Sequence, residues 1–165
     1  MKITLPKQDG IIPNQKNKIA MSIKIEASQN IARPIAVVYE FCVYNHVKNH
    51  PRWDPDMHLE QISNRPIGVG TVIRRKNSHS GSVVEGTMEV VEFKPNQSLR
   101  VLIHDGSVES RGSMEFESIT KYQTKITIST EMPGMDSSMD TSFLKSLIDR
   151  SCLNIKKLIE SETKM

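Results

Sequence analysis

Apolar side chains at Phe143, Leu144, Leu147, Ile148, Cys152, Ile155, Leu158 and Ile159 recur at helical spacing near the end of the chain. Lys145, Asp149, Asn154, Lys156 and Glu160 fall between them. The pattern predicts one long helix, Asp136–Glu162, with a single wide apolar face. Asp136 or Ser137 can cap it, and Asp140 follows Ser137 at capping-box spacing. Such a face must be buried, and the rest of the chain offers one kind of surface large enough to do so. Six strand-like runs precede the helix: Met57–Ser63, Val69–Asn77, Ser82–Phe93, Ser98–Asp105, Val108–Ser118 and Tyr122–Met132. They are broken at Arg65-Pro66-Ile67-Gly68, Ser80-Gly81, Lys94-Pro95-Asn96, Asp105-Gly106 and Thr120-Lys121. Breaks this short favour antiparallel hairpins, because a parallel crossover needs about a dozen residues. Ser22–Ile31 alternates Ile23, Ile25 and Ala27 with Lys24, Glu26 and Ser28, which adds one more strand. A twisted sheet of this size has to curl around the helix it covers.

Between the first strand and the other six, Pro34 suits the first turn of a helix carrying Ile35, Val38, Phe41 and Cys42. A second short helix is expected over Asn45–His50, ended by Pro51. The chain of 165 residues suits one domain. We expect a flexible tail over residues 1–20 and a single ligand-binding domain over 21–163. The net charge of +3 lies entirely in the tail, in Lys2, Lys7, Lys16 and Lys18 against Asp9. The remainder is neutral, so no nucleic-acid footprint is expected. Arg74-Arg75-Lys76 is the one basic triplet, and strand geometry splits it between two faces. Cys42 and Cys152, the only cysteines, make neither a disulfide framework nor a zinc site and suit the reducing cytoplasm. The given sequence shows no apolar run of signal-peptide or membrane-spanning kind, so neither is expected.

The layout resembles the START-like, or SRPBCC, superfamily of polyketide cyclases, lipid-transfer domains, pollen-allergen-like proteins and coenzyme Q-binding proteins. The resemblance rests on Ile31-Ala-Arg-Pro34, Val37-Val-Tyr-Glu-Phe41, Pro51-Arg-Trp53-Asp-Pro55 and Gly68-Val-Gly70-Thr71. It continues through Glu89-Val-Val-Glu-Phe-Lys-Pro95, Leu99, Gly112-Ser-Met-Glu-Phe116, Thr124-Lys-Ile-Thr-Ile128 and Leu153-Asn-Ile-Lys-Lys-Leu-Ile-Glu160. It implies an α+β helix-grip fold, with a curved antiparallel sheet of about seven strands around a long C-terminal helix. It also implies a cavity between helix and sheet. A fold hosts many chemistries, so the resemblance does not choose among them.

The expected cavity wall comprises Trp53, Met88, Met114, Phe116, Ile128, Met132, Phe143 and Leu147. Strand alternation puts Met114 and Phe116 on one face, and Ile126, Ile128, Thr130 and Met132 on one face of the next strand. Phe143 and Leu147 belong to the helix stripe, and the resemblance alone places Trp53 near the mouth. Nine methionines suit an adaptable apolar interior. The expected partner is an apolar small molecule bound by a monomer or homodimer, with no cofactor. A cyclase or dehydrase of the same shape, or a protein-interaction module, remains an alternative, and catalysis is left open.

Other residues carry candidate chemistry. His46 and His50, four apart, would share a helix face and with His58, Asp54 or Asp56 can form a metal set. A short polar segment of this kind reads better as a solvated face, and no metal is expected. Gly68-Val-Gly70 lies between strands and reads as a turn rather than a phosphate loop. Glu85, Glu89, Glu109, Glu115, His104 and Asp105 are acid–base candidates only if they enter the cavity. Glu115 and Glu117 alternate outward, whereas Glu85 and Glu89 share a face with Val83, Thr87, Val91 and Phe93, which leaves their direction open. Cys42 reads as a small buried residue rather than a nucleophile.

Overall fold

The computed structural model describes residues 22–135 and 138–162. Its seven strands form one antiparallel sheet in the order β1-β7-β6-β5-β4-β3-β2, so β2 to β7 run as a meander and β1 closes on β7. The strands are β1 (Ser22–Ile31), β2 (Met57–Gln61), β3 (Val72–Asn77), β4 (Val84–Lys94), β5 (Ser98–Asp105), β6 (Val108–Thr120) and β7 (Gln123–Pro133). Two short helices, α1 (Ile35–Tyr39) and α2 (His46–Trp53), join β1 to β2 through one π-helical turn, Glu40–Tyr44. The long helix α3 covers Ser142–Glu162. The expected tail lies outside the described residues.

The long helix starts later than its apolar pattern predicts. Residues 138–141 are not helical, and Asp140 rather than an earlier residue receives the first free N–H, that of Ser142, at 2.9 Å. Asp136 and Ser137, the expected caps, lie outside the described residues. The deepest residues of α3 are Ile148, Cys152, Ile155 and Ile159, a clean helical stripe. Phe143 does not join it. It occupies the first turn and is 59% exposed, over the gap between α3 and the sheet rather than against the sheet. The helix packs chiefly against β1, more lightly against α2 and β7. Side chains pin it there: Lys156 Nζ donates to Asn30 O at 2.6 Å, and Glu160 Oε1 accepts from Ala32 N at 2.9 Å.

Pro51 does not end α2; the helix continues through it to Trp53. A proline here removes one backbone hydrogen bond. Tertiary contacts hold the last turn instead, since Asn154 Nδ2 on α3 donates to Trp53 O at 3.0 Å. Strand alternation also fails in β4. A bulge between Val90 and Glu92 puts Val91 outside, half exposed, and returns Phe93 to the inner face. The residues on the other side of the bulge keep their parity, so Glu85 and Glu89 point outward with Thr87. Gly70, with φ +88°, supplies the left-handed turn before β3.

Because α3 packs chiefly against β1, the inner faces of β3 to β6 are left largely without α3 over them, and α1 covers only one end. The gap between them and the first half of α3 is the cavity.

Candidate functional site

The cavity has a volume of about 400 Å³ and lies between the sheet, the end of α2 and the first turns of α3. Its apolar wall comprises Met57, Met88, Leu99, Val101, Ile103, Met114, Ile128, Met132, Leu144, Leu147 and Ile148. Of the expected wall, Trp53, Met88, Met114, Ile128, Met132, Phe143 and Leu147 line this space, with Phe143 at its exposed edge. Phe116 does not. It is turned under α1, edge-on to the Tyr39 ring at 4.9 Å, where Tyr39 also donates to Ser98 O at 3.0 Å. The β6 strand is long enough for its face to serve two partners, the cavity at Met114 and α1 at Phe116. Gly112 keeps the wall open: a Cβ there would come within 2.9 Å of Val101 Cγ2.

One end of the cavity is polar. His46 is buried and His50 half-buried, so the expectation of a solvated histidine face is overturned. The cause is Trp53, whose ring stacks on His50 at 5.0 Å and meets His46 edge-on at 5.5 Å. Three aromatic rings at spacings of three and four residues share one helix face, and tryptophan draws that face inward. His58 instead lies exposed on β2, away from the pair.

Hydrogen bonds fix the tautomers. His46 Nδ1 lies 2.8 Å from Cys42 O, and a carbonyl only accepts, so His46 carries its proton there. Its Nε2 therefore accepts from His50 Nδ1 at 3.0 Å. Neutral His50 is then left with a bare lone pair on Nε2. Burial pushes the His46 pKa down to about 4, outweighing the bond to Cys42, with the Arg75 charge adding to the effect. His50 is held well below the ordinary value of 6.5, first by burial, then by His46, Arg75 and His79. Both imidazoles are neutral at pH 7.

Arg75 occupies the inner face of β3, two residues from the core residue Ile73. Its Nε lies 2.9 Å from Asp105 Oδ1. The approach falls off the hydrogen-bond axis, so the contact is ionic. Asp105 Oδ2 accepts from Asn77 Nδ2 at 3.1 Å. Arg75, Gly86 and Asp105 stand in register across β3, β4 and β5. A Cβ at Gly86 would fall 2.4 Å from Asp105 Oδ1 and 2.0 Å from His104 O, so only glycine lets the two charges meet over the middle strand. His104 itself points outward.

At the rim, the buried Asp54 accepts from His79 Nε2 at 2.8 Å and from Arg150 Nη2 at 3.1 Å. Asp54, Asp56 and His79 converge closely enough to hold a cation. Arg150, which also reaches Asp56 Oδ2 at 3.4 Å, already supplies the positive charge there. Cys42 is fully buried and its thiol is pushed well up by burial, then by Cys152, which fits a packing role.

Sequence reasoning missed Arg75, Asp105 in its inward role, and His79. Arg75 shares strand parity with Ile73, so one member of the basic triplet had to enter the core face. Asp105 gives no such signal, since its value comes from a strand two places away.

A seven-stranded antiparallel sheet gripping a C-terminal helix over an apolar cavity is a helix-grip α+β fold. Comparison with solved structures agrees. Ara h 8.0201 aligns with a TM-score of 0.68 at 13% identity, over 86% of this chain and 100% of that one. Major latex-like protein 151 from Panax ginseng aligns at 0.66 and 15%, over 84% and 98%. The ZhuI aromatase/cyclase from Streptomyces sp. R1128 aligns at 0.64 and 14%, over 86% and 93%. At these identities the likeness is one of fold. No protein-family model matches the sequence, and no curated protein matches it. Among the described residues no helix is long and apolar enough to cross a membrane.

Proposed function

We propose that the protein binds a small, largely apolar molecule in the cavity between α3 and the sheet. The observation that carries this reading is an apolar-walled space of about 400 Å³ at the heart of the fold. That volume falls within the range of small-molecule sites, roughly 300–1,000 Å³. Burial of the ligand's apolar surface supplies about 25 cal/mol per Å². Met57, Met88, Met114 and Met132 give the wall side chains that adapt to ligand shape. An open cavity of this kind argues against the interaction-module alternative. The two buried, unpaired thiols suit a reducing compartment such as the cytoplasm.

The test is saturable uptake of an environment-sensitive apolar dye, followed through Trp53 emission. Trp53 is the sole tryptophan and lines the cavity, so its signal reports occupancy directly. Met114→Glu, in a variant that circular dichroism shows to be folded, abolishes uptake, because an unpaired carboxylate in the apolar wall is strongly disfavoured. Glu117→Ala, on the outer face, leaves uptake unchanged. A folded wild type with no saturable uptake refutes the reading.

The histidine pair favours a second reading, an enzyme of the cyclase or dehydrase type. A neutral imidazole with a bare Nε2, oriented by a second histidine, is equipped to accept a proton from a carbon next to a carbonyl. Deuterium exchange into bound apolar ketones, lost in His50→Gln with binding retained, would support catalysis. Exchange at the uncatalysed rate leaves the carrier reading alone.

A further inference from the structure

We propose that the molecule the cavity takes is an amphipathic monoanion, an apolar chain or ring ending in a carboxylate, and that the Nη fork of Arg75 receives that end. This rests on the reading of the cavity as an apolar binding site and adds the ligand's chemical class. Arg75 is permanently charged, and its side chain is 9% exposed on the cavity wall. A guanidinium has five N–H donors. Only Nε has a described partner, Asp105, and Nε is sealed from solvent. Nothing among the described residues accepts from Nη1 or Nη2. Nη1 and Nη2, unlike Nε, are not sealed from solvent, and Arg75 lines the cavity.

A planar fork of unspent donors matches the two oxygens of a carboxylate. A hydroxyl or ketone oxygen satisfies it only in part. Asp105 does not fill this role, since Oδ1 is at Nε and Oδ2 is held by Asn77. The number of charges sets the valence of the ligand. Among the described residues Arg75 is the one cation lining this stretch of wall, while Arg150 at the rim is engaged by Asp54 and Asp56. His46 and His50 are neutral. With Asp105 already balancing Arg75, the wall offers a donor fork but no excess positive charge, so it suits at most a monoanion and not a phosphate dianion.

Titration calorimetry with decanoate, decan-1-ol and decyl phosphate at pH 7.5 tests this on the whole protein. Decanoate is expected to bind about ten- to hundredfold more tightly than decanol, the span of a charge-assisted bond. In Arg75→Gln/Asp105→Asn, which removes both charges together, the preference for decanoate over decanol disappears. Should that variant not fold, the wild type still decides. The carboxyl carbon of labelled decanoate, followed by nuclear magnetic resonance, is expected to titrate at lower pH when bound than when free. Equal binding of decanoate and decanol, or a bound carboxyl titrating at or above its free value, overturns the proposal while leaving the apolar cavity in place. Tighter binding of decyl phosphate overturns the monoanion assignment. If none of the three binds, the cavity reading falls and this proposal falls with it.

Discussion

Asp105 lies two strands from Arg75 and is, among the described residues, the one carboxylate in ionic contact with it. Removing it by Asp105→Ala strands a buried guanidinium, at a cost of about 3 kcal/mol read by urea unfolding. The figure lies at the low end of the range for a broken buried pair because Nη1 and Nη2 retain access to the cavity. The charge-neutral double change Arg75→Gln/Asp105→Asn is expected to cost less than Asp105→Ala alone. Were the single change the milder one, Arg75 and Asp105 would not compensate each other's burial. These residues mark the limit of what a sequence discloses. The parity of Arg75 with Ile73 was readable, whereas the meeting of Arg75 with Asp105 depends on a register across three strands. Trp53 shows the same limit differently: its place near the cavity was expected, but its effect on His46 and His50 was not. An amphipathic count ranks histidine as polar, and ring stacking reverses that ranking.

Among the elements, β1 and the periodic core of α3 were the most legible, since each repeats one packing rule along its length. The boundaries set by local context were not. Pro51 reads as a stop, yet helix α2 runs through it because α3 holds the following turn. The bulge in β4 reverses the side to which Phe93 points, and no residue type announces it. Helix α3 itself offers a test of which face is buried. Ile148→Ala removes a side chain 7% exposed in the centre of the stripe and is expected to cost about 2–5 kcal/mol. Phe143→Ala, at an exposed position, is expected to change stability by about 0.5 kcal/mol or less. Thermal unfolding of the two variants compares them directly; equal effects would mean that α3 is rotated about its axis and turns a different face to the sheet.

For the molecule as a whole, the histidine pair ties stability to pH. His46 has its folded pKa pushed below the unfolded one, from 6.5 to about 4, and His50 moves in the same direction. In the unfolded chain both take up protons as the pH falls through 6.5, while in the folded state they resist. Stability linked to this pair is therefore fully present above pH 6.5 and is lost as pH falls toward about 4. For His46 the loss is on the order of 3 kcal/mol. Urea midpoints measured across that window should decline in the wild type and decline less in His46→Gln/His50→Gln. A flat wild-type profile would place the imidazoles in solvent. The helix-grip arrangement gives this pair its leverage, because α2 packs on both the edge strand β2 and α3.

The alignment of Arg75, Gly86 and Asp105 also bears on how the chain avoids pairing its strands wrongly. Hydrophobicity alone tolerates a slip of β4 by two residues, since the same faces stay inward. That slip would bring Val84 or Met88 to the place of Gly86, between two opposite charges and against a backbone carbonyl. The charges would then be buried apart, with no room for the side chain separating them. The glycine-spanning ion pair thus rejects both two-residue slips of β4 that an apolar pattern would accept, and it does so in the strands that form the wall of the cavity.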